Sequence, residues 1–298
     1  IEDPRCAELI VPLLRGRNVD RYVTQWEAAQ DEQWMINSHN GVKELGIPPV
    51  KLETEYPVLW NHLVAYAEKL AVRLDKGDHW SNLRNCAYIH DFQKPKIIYP
   101  NMTKYLPFYL DTADHFFIND KAFILTSETE SLPYLTAALN STLFRCCFRD
   151  NFPELMGNTY EVRKIFMDKI PIKKPTAEHV ALFEALVPMV QAAKAESQKS
   201  DNSELKSVAV FLEEVIDACV MEVYFSDHMA EHRLGIMAHV TPLLQDFDAA
   251  APPAKQVAIA QQFYAQANDS KHPIRNILIR IPVDSPDLLA VIQREGAV

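Results

Sequence analysis

The sequence predicts an α+β protein in which a small mixed, mostly antiparallel sheet domain with helices fills residues 1–175 and a helical domain fills residues 176–298. Three observations carry that prediction. Before Pro175, short runs of β-branched and aromatic residues alternate with turn residues. After it, apolar residues recur every three or four positions, the period of a helix that buries one face. The charge changes at the same point: 21 Lys+Arg stand against 23 Asp+Glu up to Pro175, and 9 against 17 beyond it.

Residues 4–14 read as a helix ended by Gly16, and 34–37 as a short strand. From 54 to 74, Leu59, Leu63, Tyr66, Leu70 and Leu74 stand three or four apart, which predicts one amphipathic helix with Pro57 in its first turn. The runs at 96–100, 107–111, 116–119 and 122–126 are the expected strands of the antiparallel sheet. A helix over 131–148 follows, then a turn at Gly157 and Asn158 and an extended stretch ending in DKIPIKKP. Beyond Pro175 the first helix spans 176–197, and the second carries Leu205, Val208, Leu212, Val215, Cys219 and Val223 on one face. Two more helices are expected around 229–246 and 254–267, and 272–286 reads as a strand before a last helix.

Apolar residues make up 48% of the chain and charged residues 23%, the balance of an ordinary soluble globular protein. No apolar run approaches the ~18 residues of a membrane span, and the N-terminus lacks the order of a secretory signal, so a cytoplasmic location without membrane contact is expected. The five cysteines are odd in number and contain no C-x-x-C pair, so they are expected to be reduced and mostly buried. The chain opens on Ile1 and not on methionine, which leads us to expect a piece of something longer.

Several catalytic signatures are missing. No two of the seven glycines stand in a G-x-G arrangement, which argues against a dinucleotide or methyl-donor loop of that type. Gly41 and Gly46 make a G-x-x-x-x-G, but Ile47 occupies the position where a phosphate loop needs lysine. There is no G-x-S-x-G elbow, and Pro286-Asp287 is not followed by the acidic-x-lysine of a common nuclease site. HMAEH, 228–232, fits the inverted zinc-protease pattern, with His228 and His232 as ligands, Glu231 as base and Glu295 as the only downstream glutamate. The competing reading is two partly exposed histidines on a polar helix. Glu213 and Glu214 read as solvated surface.

The order of short motifs is more informative than any one of them. LLRGRNVDRY (13–22), EQWMIN (32–37), YPVLWNHL (56–63), KLAVRLDKGDHWSNL (69–83), FQKPKIIYPNM (92–102), FFINDKAFIL (116–125), YLTAALNSTLF (134–144) and MDKIPIKKP (167–175) follow in sequence. In that order they resemble the TaqI-like C-terminal specificity domain, the target recognition domain of adenine-N6 DNA methyltransferases and of fused type IIG restriction-modification enzymes. The resemblance covers roughly residues 8–175. LEEVIDACVMEVYFSD (212–227) is similar to a helix near the end of such enzymes, departing from it at Glu222-Val223 and Phe225, where leucine-tyrosine-glycine is common.

The resemblance implies a DNA sequence-recognition fragment whose S-adenosylmethionine site and N-P-P-Y catalytic motif lie upstream. The Pro-Pro pairs here, within 47–50 and 251–254, do not fit that motif. No catalytic residue, metal or cofactor is therefore expected in this chain; its partners would be double-stranded DNA and the methyltransferase domain of the parent protein. Arg15 and Arg17 would reach phosphates or a guanine edge, although a helix cap at Gly16, with the arginines on the last carbonyls, remains an open reading. Arg21 has the alternative of a salt bridge with Asp20 or Glu27. Arg84, Lys94, Lys96 and Lys104 are interleaved with Trp80, Tyr99 and Tyr105, and Asn101 can pair with an adenine edge. The DNA contacts expected are thus Arg15, Arg17, Arg84, Lys94, Lys96, Asn101, Lys104 and Tyr105. Strand alternation puts Ile97 and Tyr99 on one face and Lys96 and Ile98 on the other, so they cannot all meet DNA. Trp80 and Tyr99 are assigned to the core and Asn140 to a helix-end hydrogen bond. Two other classes stay open: a protein-interaction module using the acidic helices, and a zinc hydrolase.

Overall fold

The computed structural model describes residues 3–26 and 32–292, and of residues 147, 149, 150 and 291 the backbone only. It is α+β, with short strands in the first part and helices in the second.

The N-terminus departs from the expected helix. Asp3 caps a short 3-10 turn, Pro4–Leu9, by accepting from the Arg5 amide at 3.0 Å, and the chain then extends as β1, Ile10–Leu14. Pro12 has no amide for a helix interior, and Ile10 and Val11 are β-branched. β2 (Val19–Asp20) and β3 (Val23–Thr24) form a tight hairpin, and β4 (Trp34–Ile36) runs antiparallel to β1.

Three short helices, α1 (Leu52–Glu55), α2 (Pro57–Val64) and α3 (Ala67–Ala71), stand where one helix was expected over 54–74. Of the expected apolar stripe only Leu59 is buried, against Cys6, Leu9 and Leu52, while Leu74 is fully exposed. The stripe has the right period but no second layer to cover it.

The central sheet is built around β5 (Lys96–Pro100), which is followed by β6 (Met102–Thr103), β7 (Tyr109–Asp111), β8 (Phe117–Ile118) and β9 (Ala122–Leu125). β5 lies between β7 and β9, antiparallel to both, and all five of its residues are buried. β8 leaves that sheet and pairs parallel with β1.

The helix expected over 131–148 is two, α4 (Leu132–Asn140) and α5 (Thr142–Asn151). Ser141 between them accepts from the Phe144 amide at 3.1 Å and starts the second helix as its N-cap. β10 (Glu154–Leu155) and β11 (Thr159–Glu161) then form a hairpin that pairs with β6, and α6 (Lys164–Met167) follows.

The helical part opens with α7 (Ala177–Ser200), whose Thr176 cap and His179 bond each other reciprocally, and α8 (Ser203–Tyr224), capped by Asn202. They are joined by a two-residue turn and bury Phe183, Leu186 and Val190 against Val208, Leu212 and Val215. α9 (Ser226–Glu231), α10 (Met237–Val240) and a 3-10 turn at Thr241–Leu244 replace the single helix expected over 229–246. α11 (Pro253–Ala267) lies where expected. α12 (Pro273–Asp284) is a helix where a strand was expected, because His272 caps it, Pro273 opens it and Ile274, Ile277 and Ile281 form a helical stripe buried in the bundle. α13 (Pro286–Ile292) closes the described chain.

One cluster of buried side chains runs from Tyr22, Ile97, Phe108 and Tyr134 to Phe183, Leu212 and Phe263. It crosses the junction at Pro175 without a break. Polar ties cross it too: the Arg21 guanidinium meets Glu213 at 3.2 Å and donates to the Asn140 carbonyl at 2.8 Å, while Lys194 donates to the Arg21 carbonyl at 2.8 Å and pairs with Glu213. Glu213 is therefore not the solvated carboxylate the sequence suggested. The partner of Arg21 comes from α8, not from Asp20; Glu27 lies outside the described residues.

Candidate nucleic-acid interface

The candidate surface is assembled by three loops that meet at one backbone carbonyl. Gly16, in a 3-10 turn just after β1, lies so close to the Lys121 carbonyl that a Cβ on it would come within 2.2 Å of the oxygen. The Asn101 amide donates to that same carbonyl at 3.0 Å, and the Asn101 side chain donates to the Asp120 carbonyl at 3.1 Å. The RGR turn, the 119–121 turn and the loop after β5 thus hold one another. The role of Gly16 is this close approach, not a helix cap, since a strand precedes it.

The loop after β5 is shaped by Thr103, whose hydroxyl accepts from the amides of Tyr105 at 3.0 Å and Leu106 at 3.2 Å. That turn points Lys104 and Tyr105 outward, the tyrosine 77% exposed, while Leu106 returns to the core with a left-handed φ of 49°. The Asn101 carbonyl accepts from the Val162 amide at 2.9 Å, which fastens the β10–β11 hairpin to the same place. Asn101 spends one amide hydrogen on Asp120 and keeps its oxygen and second hydrogen, the groups an adenine edge would use.

Four of the expected residues, Arg17, Asn101, Lys104 and Tyr105, therefore belong to one loop cluster. Arg15 adjoins it at the end of β1 and donates through Nε to Gln33 at 2.5 Å. Lys121, Arg163 and Lys164 are cations there that the sequence reasoning missed. Each is partnered by an acid, Asp120 at 2.8 Å, Glu161 at 2.6 Å and Asp168 at 2.6 Å. Their signal was present in the FFINDKAFIL motif and in the basic excess of 141–175, without anything to connect them to Arg17.

Lys96 is a correction. Its side chain is completely buried, donating to the Asp111 carboxylate at 2.7 Å and the Phe92 carbonyl at 2.8 Å, so it cannot reach DNA. Asp111 also accepts from the amides of Asp114, His115 and Phe116 at 3.1, 3.1 and 2.8 Å. The pair is a structural anchor that shapes the turn leading into β8. Alternation misled because a strand paired on both sides and covered on both faces has no outward side.

The family model of the TaqI-like C-terminal specificity domain matches residues 11–172, more than half of the chain. The chain belongs to that family. A search of curated proteins gave no match. As a TaqI-like specificity domain, this chain carries a DNA sequence-recognition module of restriction-modification-related proteins.

Within the specificity domain, Lys94 sits apart from the loop cluster. Lys94 and Asn101 bracket β5, and at about 3.3 Å per residue they are roughly 20 Å apart. Lys94 is exposed and paired with Asp91 at 2.8 Å, and the hydrogen bond to that carboxylate holds its ammonium above the usual lysine range. Arg84 is exposed on the segment between α3 and β5. Tyr99 is buried in the core as expected, while Trp80 is only half-buried and packs against Trp60 and His79 at 5.0 and 5.3 Å between ring centres. Asn140 closes both its hydrogen bonds on the backbone of Phe108, at 2.8 and 3.1 Å, which makes it a helix-end bonder and not a base reader.

The rings of His228 and His232 lie 4.4 Å apart, but His228 Nε2 is bonded to the Ser285 hydroxyl at 2.8 Å. Among the described residues, no three His, Cys, Asp or Glu side chains are grouped to hold a metal, and Glu295 lies outside them. No helix among those residues is long and apolar enough to cross a membrane.

Proposed function

We propose that this chain is the DNA-reading part of an S-adenosylmethionine-dependent adenine-N6 DNA methyltransferase, or of a fused type IIG restriction-modification enzyme, acting in the cytoplasm. Its catalytic domain would lie upstream in the same protein. The observation that carries the reading is the coincidence of the family match over 11–172 with a loop cluster that gathers Arg17, Asn101, Lys104, Tyr105 and Lys121.

The division of labour follows from the chemistry of the residues. Arg15, Arg17, Lys104 and Lys121 fix the duplex by its phosphates, a contact that carries no sequence information. Lys94, roughly 20 Å from Asn101 by the rise of β5, suits a phosphate further along the duplex, and Arg84 is a further exposed cation. Asn101 and Tyr105, in the same loop cluster, would meet base edges. The adenine amino group is not accessible for transfer inside the stack, so the base must be turned out into the upstream domain. The methyl donor would be held there as well. No G-x-G loop of the kind that cradles such a donor stands in this sequence. The helical part braces the reading surface through Arg21, Glu213 and Lys194.

Selection of the chain from a pool of randomised duplexes at two salt concentrations tests the reading, because phosphate binding weakens steeply with salt. An enriched site that survives the higher salt is the expected outcome. No binding at either salt would overturn it in favour of a protein-interaction module.

A further inference from the structure

The hairpin of β10 and β11 has an inner face that is anchored and an outer face and tip that are not covered. On the inner face Tyr160 packs on Phe148 with ring centres 4.8 Å apart, and next to it Phe152 meets Phe148 at 4.3 Å and Phe166 at 5.7 Å. The register pairs Leu155 with Thr159 and Glu161 with Met102, so these four side chains share the opposite face of the three-stranded sheet. Leu155 and Met102 on that face are 39% and 46% exposed. At the tip, Gly157 and Asn158 take left-handed φ values of 77° and 57°, and Met156 beside them is 97% exposed. A Cβ built on Gly157 would meet nothing within 4 Å.

The nearly fully exposed methionine at the tip of this hairpin is available to an apolar partner, and its surroundings point to which one. Thr103 stands opposite Tyr160, so Lys104 and Tyr105, in the turn directly after β6, lie beside the tip, while Arg163 and Lys164 follow β11 at the base of the hairpin, paired with Glu161 and Asp168. The segment 141–175 holds seven basic against four acidic residues in a chain whose total is −10. The ribbon is also tied to Asn101 through Val162. Beyond Thr103 the hairpin runs on as two strands, a width that the major groove of about 12 Å admits, and methionine is an apolar group that packs on thymine methyls and base edges.

We propose that the β10–β11 hairpin is a specificity-determining element that enters the major groove of duplex DNA with Met156 as its apolar base contact. This rests on the DNA-reading function proposed above and adds to it a particular ribbon and a particular side chain. Lys104 beside the tip fixes a phosphate while the tip reads.

The test compares the full chain with Met156→Ser and Met156→Leu in selection from randomised duplexes, followed by affinity measurement on the enriched site. With Met156 this exposed, neither substitution touches the core, and equal melting temperatures verify that. The serine variant should lose preference at one or two adjacent base pairs and bind the enriched site on the order of tenfold more weakly, the cost of one mismatched pair. Its affinity for random duplex should stay unchanged, and the leucine variant should keep the preference. Replacing thymine by uracil at the affected position should weaken the parent chain and leave the serine variant indifferent. An unchanged motif in the serine variant overturns the proposal and leaves the DNA-reading function standing; if its oligomeric state changes instead, the patch belongs to a second copy of the chain. A parent chain that enriches no motif overturns both.

Discussion

The sheet half and the helical half of the specificity chain are held together by different chemistry. In the helical half, α7, α8, α11 and α12 meet through apolar stripes such as Leu186, Leu212, Val215 and Ile277. In the sheet half, strands of two to five residues leave much of the chain in loops, and buried polar side chains fix those loops. Lys96 and Asp111 shape one turn, Asn140 clamps Phe108, and Asn82 donates to the carbonyls of Ser38, His39 and Val50 at 3.2, 3.3 and 2.9 Å. A surface that must hold several loops in register needs directional bonds, whereas a brace needs only area.

Substitutions can break or sharpen that contrast. The largest effect is expected for Lys96→Met, which leaves the Asp111 charge buried without its cation and should cost about 3–5 kcal/mol in urea unfolding. A cost near zero would show that the anchor is dispensable and that the two halves do not differ. Leu212→Ala in the bundle should cost about 2–5 kcal/mol, but Leu212→Met under about 1.5, because an apolar stripe tolerates a change of shape at constant volume. Asn140→Leu has no such tolerance; the Phe108 amide left without an acceptor, its carbonyl keeping only the Tyr22 amide at 3.2 Å, should cost about 1–3 kcal/mol despite the similar volume.

Gly16→Ala addresses the surface itself. The added methyl meets the Lys121 carbonyl, so the three loops must separate, and a stability loss of about 1–3 kcal/mol should be accompanied by weaker and less selective DNA binding. Normal binding at reduced stability would detach the reading surface from that carbonyl.

The smallest effect concerns Asp217 on α8, which accepts from the amide of Thr142 at 2.8 Å and from its hydroxyl. Burial raises its carboxyl above the ordinary 3.8, against the opposing pull of the Thr142 hydrogen bonds and of Arg21 and Arg145. The folded state therefore holds this proton more tightly than the unfolded one. Its contribution favours folding below 3.8 and is lost as pH rises from there through the raised value. Asp217→Asn removes that contribution while keeping both bonds to Thr142 possible, so its melting temperature should decline less than the parent's as pH rises above 3.8. Parallel curves would contradict the assignment.

What could be read from the sequence follows the same division. The stripes of α7, α8 and α11 were legible because an apolar face has a period. α12 was misread because its isoleucines have strand propensity, and only the His272-Pro273 start and the spacing of Ile274, Ile277 and Ile281 reveal the helix. In the site, Asn101, Lys104 and Tyr105 were legible as a polar stretch after a strand. The burial of Lys96 was not, since it depends on β7 and β9 flanking β5. The meeting of Gly16 with Lys121 was not either, because close approach between segments a hundred residues apart leaves no local signature.

The unbroken core across Pro175 has a consequence for retargeting. A specificity module delimited at that junction would part Tyr134 from Phe183, whose ring centres lie 5.4 Å apart, and Arg21 from Glu213. Recognition is therefore not a cassette to be exchanged at the linker. On the reading proposed above the transferable pieces are smaller: the turn at 103–106 and the hairpin at 154–161, each hung on a scaffold that includes the helices and can remain in place while its tips are rewritten.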